Sequence, residues 1–268
     1  MTRGLFITFE GGEGSGKSTQ ARWLSRVLTK YKIPNMLTFE PGDTQLGVEL
    51  RGLLLNGRAG KLCPKTEALL FAADRAQHVE TIIRPNLDAG KVVICDRYIA
   101  SSVAYQAYAG ALDAAQIRSI SEWASDELYP DMTFLLDVDP QVGLNRVDTG
   151  SRNLFEAKTL DFHNRVREGY RQQKTEGWIE IPGNLRKDDI HDRVVDHVLV
   201  ALRAKEDSSV ETTLTFTGES PDPVAVMMAP NATQHGLELC KRNGCDNPYH
   251  QYGHAAEDLS DLAAFEQQ

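Results

Sequence analysis

The sequence predicts an α/β fold, a parallel doubly wound sheet with helices on both faces, and two observations carry that prediction. Short apolar runs of strand length alternate with longer stretches of helical period. Two of those runs also end on polar blocks of unusual composition. Residues 5–9 lead into Gly11-Gly12-Glu13-Gly14-Ser15-Gly16-Lys17-Ser18, which fits the phosphate-loop pattern GxxxxGK(S/T). Residues 91–95 lead into Asp96-Arg97-Tyr98-Ile99-Ala100-Ser101-Ser102-Val103-Ala104-Tyr105-Gln106. Open parallel sheets bind ligands beyond the carboxyl ends of their strands, so the two blocks are expected to share one site.

Residues 5–9 are apolar and stop at a glycine-rich turn, as a buried parallel strand does when it feeds a helix. Residues 17–30 read as that helix, because Ala21, Trp23, Leu24, Val27 and Leu28 recur on one side. A second strand over 35–39 is broken by Pro41-Gly42. Helical period runs through 46–55 and again through 66–87. Residues 91–95 make the third strand, 132–138 the fourth and 178–181 the fifth, with a helix over 157–173 between the last two. After Arg203 the chain becomes rich in Ser, Thr, Glu, Asp and Pro and loses its helical period. The expected organisation is a domain over 1–204, a linker over 205–223, and a C-terminal extension over 224–268. Weak alternation at 212–217 suits a hairpin. No internal repeat is visible.

With 41% hydrophobic residues among 268, the chain can bury a full core. A formal net charge of -9 gives no general drive toward nucleic acid or an anionic membrane surface. A phosphate-bearing ligand must then be held by locally placed cations. No apolar run has membrane-spanning length, and 5–9 is too short for a signal peptide. Of the four cysteines, Cys63, Cys95, Cys240 and Cys245, Cys95 lies inside an apolar strand and reads as a small buried hydrophobe. The expectation is a cytoplasmic protein without disulfides, in which the Asn231-Ala232-Thr233 sequon is idle.

The glycines of the first block let consecutive backbone N–H groups turn inward around a polyphosphate. Gly11, Gly12, Gly14, Ser15, Gly16 and Thr19 build the cradle, Lys17 reaches the β- and γ-phosphates of ATP, and Ser18 ligates Mg2+. That leaves the phosphoryl acceptor open, either water or a small molecule.

Leu69-Leu70-Phe71-Ala72-Ala73-Asp74-Arg75-Ala76-Gln77-His78 and the block from Asp96 to Gln106 together resemble the thymidylate kinases, and the likeness extends over the first 200 residues. The resemblance implies a P-loop nucleoside-monophosphate kinase fold that phosphorylates dTMP with ATP and Mg2+. It implies that Phe71 stacks on the thymine and Arg75 reaches a carbonyl oxygen of the base, one π-face and one cation fixing a pyrimidine. Arg97 is then the fork on the acceptor monophosphate, with Asp96 steadying Arg97 or a metal-bound water. Ser102 and Gln106 meet the thymine edge. Tyr105 lies under the sugar, where a 2′-hydroxyl pressed on a ring would lose its hydrogen bonds. Glu13 falls near the sugar 3′-hydroxyl and also suits Mg2+. Glu40 opens a Glu-Pro-Gly loop of the family, and Arg51 resembles a contact to the acceptor phosphate. Tyr98 and Ser101 read equally well as packing residues, and Asp137 as structural.

Gly14 stands where one subclass carries a catalytic arginine, so the likeness is to the bacterial and phage-like subclass that supplies it from a lid. The lid here is Asp148-Thr149-Gly150-Ser151-Arg152-Asn153-Leu154-Phe155-Glu156. Many bacterial relatives have Asp-Arg where this chain has Asn153 and Leu154, which leaves Arg152 as the clamp and Arg146 for the adenine side. The resemblance also implies a homodimer, no nucleic-acid partner and no membrane. In the tail, Cys240, Cys245, His250 and His254 have a Cys-x4-Cys-x4-His-x3-His spacing that suits tetrahedral Zn2+. Two other readings stand beside dTMP phosphorylation: a different or broader nucleoside-monophosphate kinase, and a non-catalytic nucleotide-binding protein with an altered lid.

Overall fold

Five strands form one parallel sheet: β1 (Phe6–Glu10), β2 (Asn35–Phe39), β3 (Val92–Asp96), β4 (Met132–Asp137) and β5 (Trp178–Pro182), in the order β2-β3-β1-β4-β5. They belong to a computed structural model that describes residues 3–147 and 153–217. Residues Met1–Glu206 make one compact unit. β1 and β3 each run one residue past the apolar stretch. The polar Glu10 and Asp96 keep the ladder register, Glu10 opposite Leu135 and Asp96 opposite Phe9. Apolarity marks burial and not the hydrogen bond.

Alternation along β1 assigns its side chains to two cores. Leu5, Ile7 and Phe9 face Ala21, Leu24 and Leu28 of α1 (Lys17–Lys30), together with Ile190, Val194 and Val198 of α9 (Lys187–Thr217). Phe6 faces the other way, onto Val79, Ile83, Leu87 and Tyr98. The connection after β1 leaves toward β2, and the one after β3 crosses to β4 on the opposite side of β1. The crevice between the carboxyl ends of β1 and β3 is therefore the topological switch point of the sheet. Both polar blocks open onto it.

α2 (Gln45–Leu55) starts at Thr44, whose hydroxyl accepts the Gly47 N–H at 2.8 Å. The expected helix over 66–87 is three joined pieces: α3 (Pro64–His78), a π-helical turn Val79–Ile83, and α4 (Arg84–Asp88). The block after β3 folds as α5 (Ile99–Ser102) running into a π-helical segment Val103–Ala109. α6 (Ala114–Ala124) and α7 (Pro140–Arg146) carry no expectation from the sequence, and both are capped by an aspartate, Asp113 and Asp139. α8 (Leu160–Arg171) is shorter than 157–173 because the Thr159 hydroxyl caps it on the Phe162 N–H.

α9 runs on through residues 205–217, so the helix continues past Arg203 and 212–217 form no hairpin. Propagation adds one hydrogen bond per residue and needs no apolar stripe, so the loss of period after Arg203 did not mark the helix end. Cys95 is buried in β3 as a free thiol, and Cys63 is free and exposed. Among the described residues no helix is long and apolar enough to cross a membrane.

Candidate active site

A cleft of about 760 Å³ opens at the carboxyl ends of β1 and β3. Gly14, Ser15, Gly16, Lys17, Ser18 and Thr19 line it directly. Gly11 and Gly12 precede them in the loop and are not among the lining residues. A Cβ on Gly11 would stand 2.4 Å from the Leu136 carbonyl oxygen, so only glycine lets the loop pass that strand. Gly14 has φ +64°, and a Cβ there would meet the Gly143 carbonyl oxygen at 2.0 Å. Lys17 Nζ folds back onto the Gly12 carbonyl at 2.7 Å and the Ser15 hydroxyl at 3.3 Å. Burial, with the charge of Arg97 adding to it, pushes the Lys17 ammonium down to about 8. The Ser18 hydroxyl donates to Asp96 Oδ2, while buried Asp96 Oδ1 makes no hydrogen bond within the protein. A hydroxyl beside a carboxylate with a spare oxygen is the hard donor set that Mg2+ takes.

Arg97 joins the phosphate loop to the second block. Its Nη2 donates to both Glu13 carboxylate oxygens at 2.9 Å, and its Nη1 reaches the hydroxyls of Ser101 and Tyr170, each at 3.3 Å. Asp96, expected to steady Arg97 or a metal-bound water, accepts the Ser18 hydroxyl and makes no direct bond to Arg97. The guanidinium lies over the Tyr105 ring, 5.2 Å from its centre, and the Tyr105 hydroxyl donates to Glu13 at 2.7 Å. Arg97 holds φ +72°, a left-handed conformation that costs a non-glycine residue about 1–2 kcal/mol. Burial raises the cost of the Glu13 charge, and the nearby cations Arg97 and Lys17 outweigh it, so its carboxyl falls below the usual range.

Beneath this pair sits Glu10, which sequence reasoning missed. Its Oε1 accepts the Tyr98 N–H at 2.8 Å and its Oε2 the Ser101 hydroxyl at 2.7 Å. Ser101, left open as packing, is thus tied to Glu10, Tyr170 and Arg97. Burial pushes the Glu10 carboxyl up to about 7, against the pull of Ser101 and Arg97. The folded protein keeps a proton that the unfolded chain releases near pH 4.5, so this group makes the fold less stable as pH rises from about 4.5 to 7 and adds no slope above. Glu10→Gln removes that slope. Urea melts at pH 5 and pH 7.5 are expected to show the variant gaining on the natural protein by about 2 kcal/mol between the two. Parallel pH dependences would mean that Glu10 ionises normally.

At the far end, α3 presents Phe71 and Arg75 to the cleft. Arg75 is 2% exposed, and its Nη2 is held by Glu40 Oε2 at 2.8 Å and by the Ser102 hydroxyl at 3.1 Å. Its Nε and Nη1 make no hydrogen bond within the protein, which leaves donors for a carbonyl oxygen. Glu40 is itself braced by His78 Nδ1 at 3.1 Å. Gln106 lines the same end and donates Nε2 to Glu67 at 3.0 Å. Arg51 Nη1 donates to the Pro41 carbonyl at 2.6 Å and lies over Phe39. Tyr105 packs edge-on against Phe155, Phe162 and Tyr170, and Phe71 against Phe155.

At the phosphate-loop end, Arg146 Nη1 donates to the Gly183 carbonyl at 2.8 Å and to the Gly14 carbonyl at 3.3 Å. Val147, Leu185, Lys187 and Ile190 line that end with it. In the segment expected to form the lid, Asn153 Oδ1 accepts the N–H groups of Phe155 and Glu156, and the Glu156 carboxylate accepts the Asn153 N–H at 2.8 Å. This reciprocal cap holds Phe155 toward the cleft. Asp137 is taken up by Arg167 and Arg171, in keeping with its structural reading. Arg152 lies outside the described residues, as do Cys240, Cys245, His250 and His254. Among the described residues no cluster of three or more His, Cys, Asp or Glu forms a metal site.

A phosphate loop at one end of the cleft and an aromatic, cation-bearing pocket at the other define a phosphate-loop kinase of nucleoside monophosphates. Residues 9–194 match the family model described as thymidylate kinase. A thymidylate kinase of Carboxydothermus hydrogenoformans is 49% identical over 171 residues, 63% of this chain and 84% of its own. One from Cutibacterium acnes is 46% identical over 167 residues, covering 62% and 81%. One from Halothermothrix orenii is 43% identical over 203 residues, covering 73% and 97%. The chain belongs to the thymidylate kinase family.

Proposed function

We propose that this chain transfers the γ-phosphoryl group of ATP to dTMP, giving dTDP and ADP. One observation carries the reading: the pocket of Phe71, Arg75, Ser102 and Gln106 opens into the same cleft as the phosphate loop, joined to it through Glu13, Arg97 and Tyr105. The acceptor phosphate oxygen is already anionic, so the transfer needs alignment and charge neutralisation and no general base. The backbone of Gly11 to Gly16 and Lys17 hold the donor phosphates, Arg146 flanks its adenine side, and Thr19 closes the loop. Ser18 and Asp96 would hold Mg2+, which would supply neutralisation of the phosphate charge. Arg97 exchanges part of its contact with Glu13 for the acceptor phosphate, and Arg51 approaches the same group. Arg152 is the proposed lid clamp on the transferring group. A panel of nucleoside monophosphates with ATP tests the assignment: dTMP is expected to be preferred, and equal turnover of several others would point to a broader kinase.

Tyr105 is the proposed guard of the sugar. Its ring is fixed by three aromatic neighbours and by the hydroxyl bond to Glu13, so it cannot swing aside. Tyr105→Ala is expected to lower the preference for dTMP over its ribose analogue by about tenfold or more, the cost of one buried unsatisfied hydroxyl. An unchanged ratio would place the guard elsewhere.

We read the assembly as a homodimer. Leu69 on α3 and Trp123 on α6 are 56% and 83% exposed on one face beside Ile120, an apolar patch that a second copy would cover. The free thiols Cys63 and Cys95 are in keeping with a reducing cytoplasm. The candidate zinc set of the tail takes no part in this catalytic reading.

A further inference from the structure

Gln106 reaches the base end of the cleft with a side chain that is 2% exposed and whose amide can face either way. Turned one way it offers the base an oxygen acceptor; turned the other, an N–H donor. Its Nε2 donates to Glu67 Oε1 at 3.0 Å. A carboxylate only accepts, so only one of the two orientations is satisfied. We propose that Glu67 is a specificity-determining positioning residue: by holding the Gln106 amide nitrogen, it presents the amide oxygen to the base and selects pyrimidines that carry an N3–H donor. This rests on the reading of the cleft as a dTMP site.

The spacing supports it. Glu67, Phe71 and Arg75 recur every four residues on α3 and lie along one helical face. One stripe therefore supplies the brace for the amide, the ring for the base and the cation for its carbonyl. Arg75 offers donors through its unpaired Nε and Nη1. A thymine edge presents the carbonyl O4 beside the N3–H, an acceptor next to a donor, and so complements Arg75 next to the Gln106 oxygen. A cytosine edge presents an amino donor beside the N3 lone pair and opposes both. Arg75 cannot adapt, because a guanidinium has no acceptor. Gln106 could adapt by a half-turn of its amide, and Glu67 is what penalises that turn. Losing a hydrogen bond to a charged group and setting two acceptors face to face corresponds to about ten- to a hundredfold in binding.

The test compares kcat/KM for dTMP, dUMP and dCMP, with dCMP read as a competitive inhibitor of dTMP where its turnover is too slow. Glu67→Gln tolerates either amide orientation, and Glu67→Lys, a donor only, favours the turned one. The dTMP:dCMP preference is expected to fall about tenfold or more in Glu67→Gln and further in Glu67→Lys, with dTMP:dUMP unchanged, since both of those bases carry N3–H. Folding is checked by thermal melts. An unchanged dTMP:dCMP ratio in folded variants overturns the proposal, and so does an equal loss on all three substrates, which would mark Glu67 as merely structural. The kinase reading is tested separately by the natural protein's own turnover of dTMP, so the two failures cannot be confused.

Discussion

Lys17→Ala is expected to reduce phosphoryl transfer by about a thousandfold, the scale of removing one preorganised cation from developing phosphate charge. In the free protein the ammonium is stored against the Gly12 carbonyl and the Ser15 hydroxyl, buried and short of its usual basicity. Burial and the Arg97 charge are what weaken the lysine, and incoming phosphates add negative charge beside it, so the lysine is poised to leave those contacts for the nucleotide. Single-turnover transfer should collapse, whereas dTMP binding measured by calorimetry should persist, because the base pocket lies at the other end of the cleft. Near-normal transfer in a folded Lys17→Ala protein would remove the phosphate loop from the mechanism.

Arg97→Ala should cost on the order of 2–4 kcal/mol of transition-state stabilisation, with turnover damaged far more than ATP binding. The same change strips Glu13 of its principal cation. That carboxylate would then sit partly buried with Tyr105 and Lys17 for company, and thermal stability should fall as well. Arg97→Lys separates the two effects. A lysine restores the charge facing Glu13 but not the fork, so it should recover stability more than rate. If Arg97→Ala keeps near-normal turnover at modest dTMP, the arginine serves the fold alone.

Much of this was legible in the sequence where the chemistry is contiguous. The phosphate loop and the block from Asp96 to Gln106 each bring their polar groups within a few residues, so the first could be read from type and spacing and the second from its resemblance, and both open onto one cleft. The stripe on α3 was half seen: Phe71 and Arg75 were singled out, and Glu67 obeyed the same four-residue step. The links between blocks were not legible. Arg97 meets Glu13 across 84 positions and Tyr170 across 73, and only the parallel sheet brings these together. Glu10 falls just past the apolar stretch 5–9, and nothing local shows that the Tyr98 N–H and the Ser101 hydroxyl converge on it. The helix end beyond residue 205 escaped for a different reason, since an apolar stripe reports packing and helix propagation does not require it.

The central claim is that the two ends of the cleft hold donor and acceptor of a single transfer. ADP formation from ATP and Mg2+, with and without dTMP, tests it most directly. The account predicts rapid ADP formation only when dTMP is present, matched mole for mole by dTDP. Robust ATP hydrolysis that ignores added dTMP would contradict it.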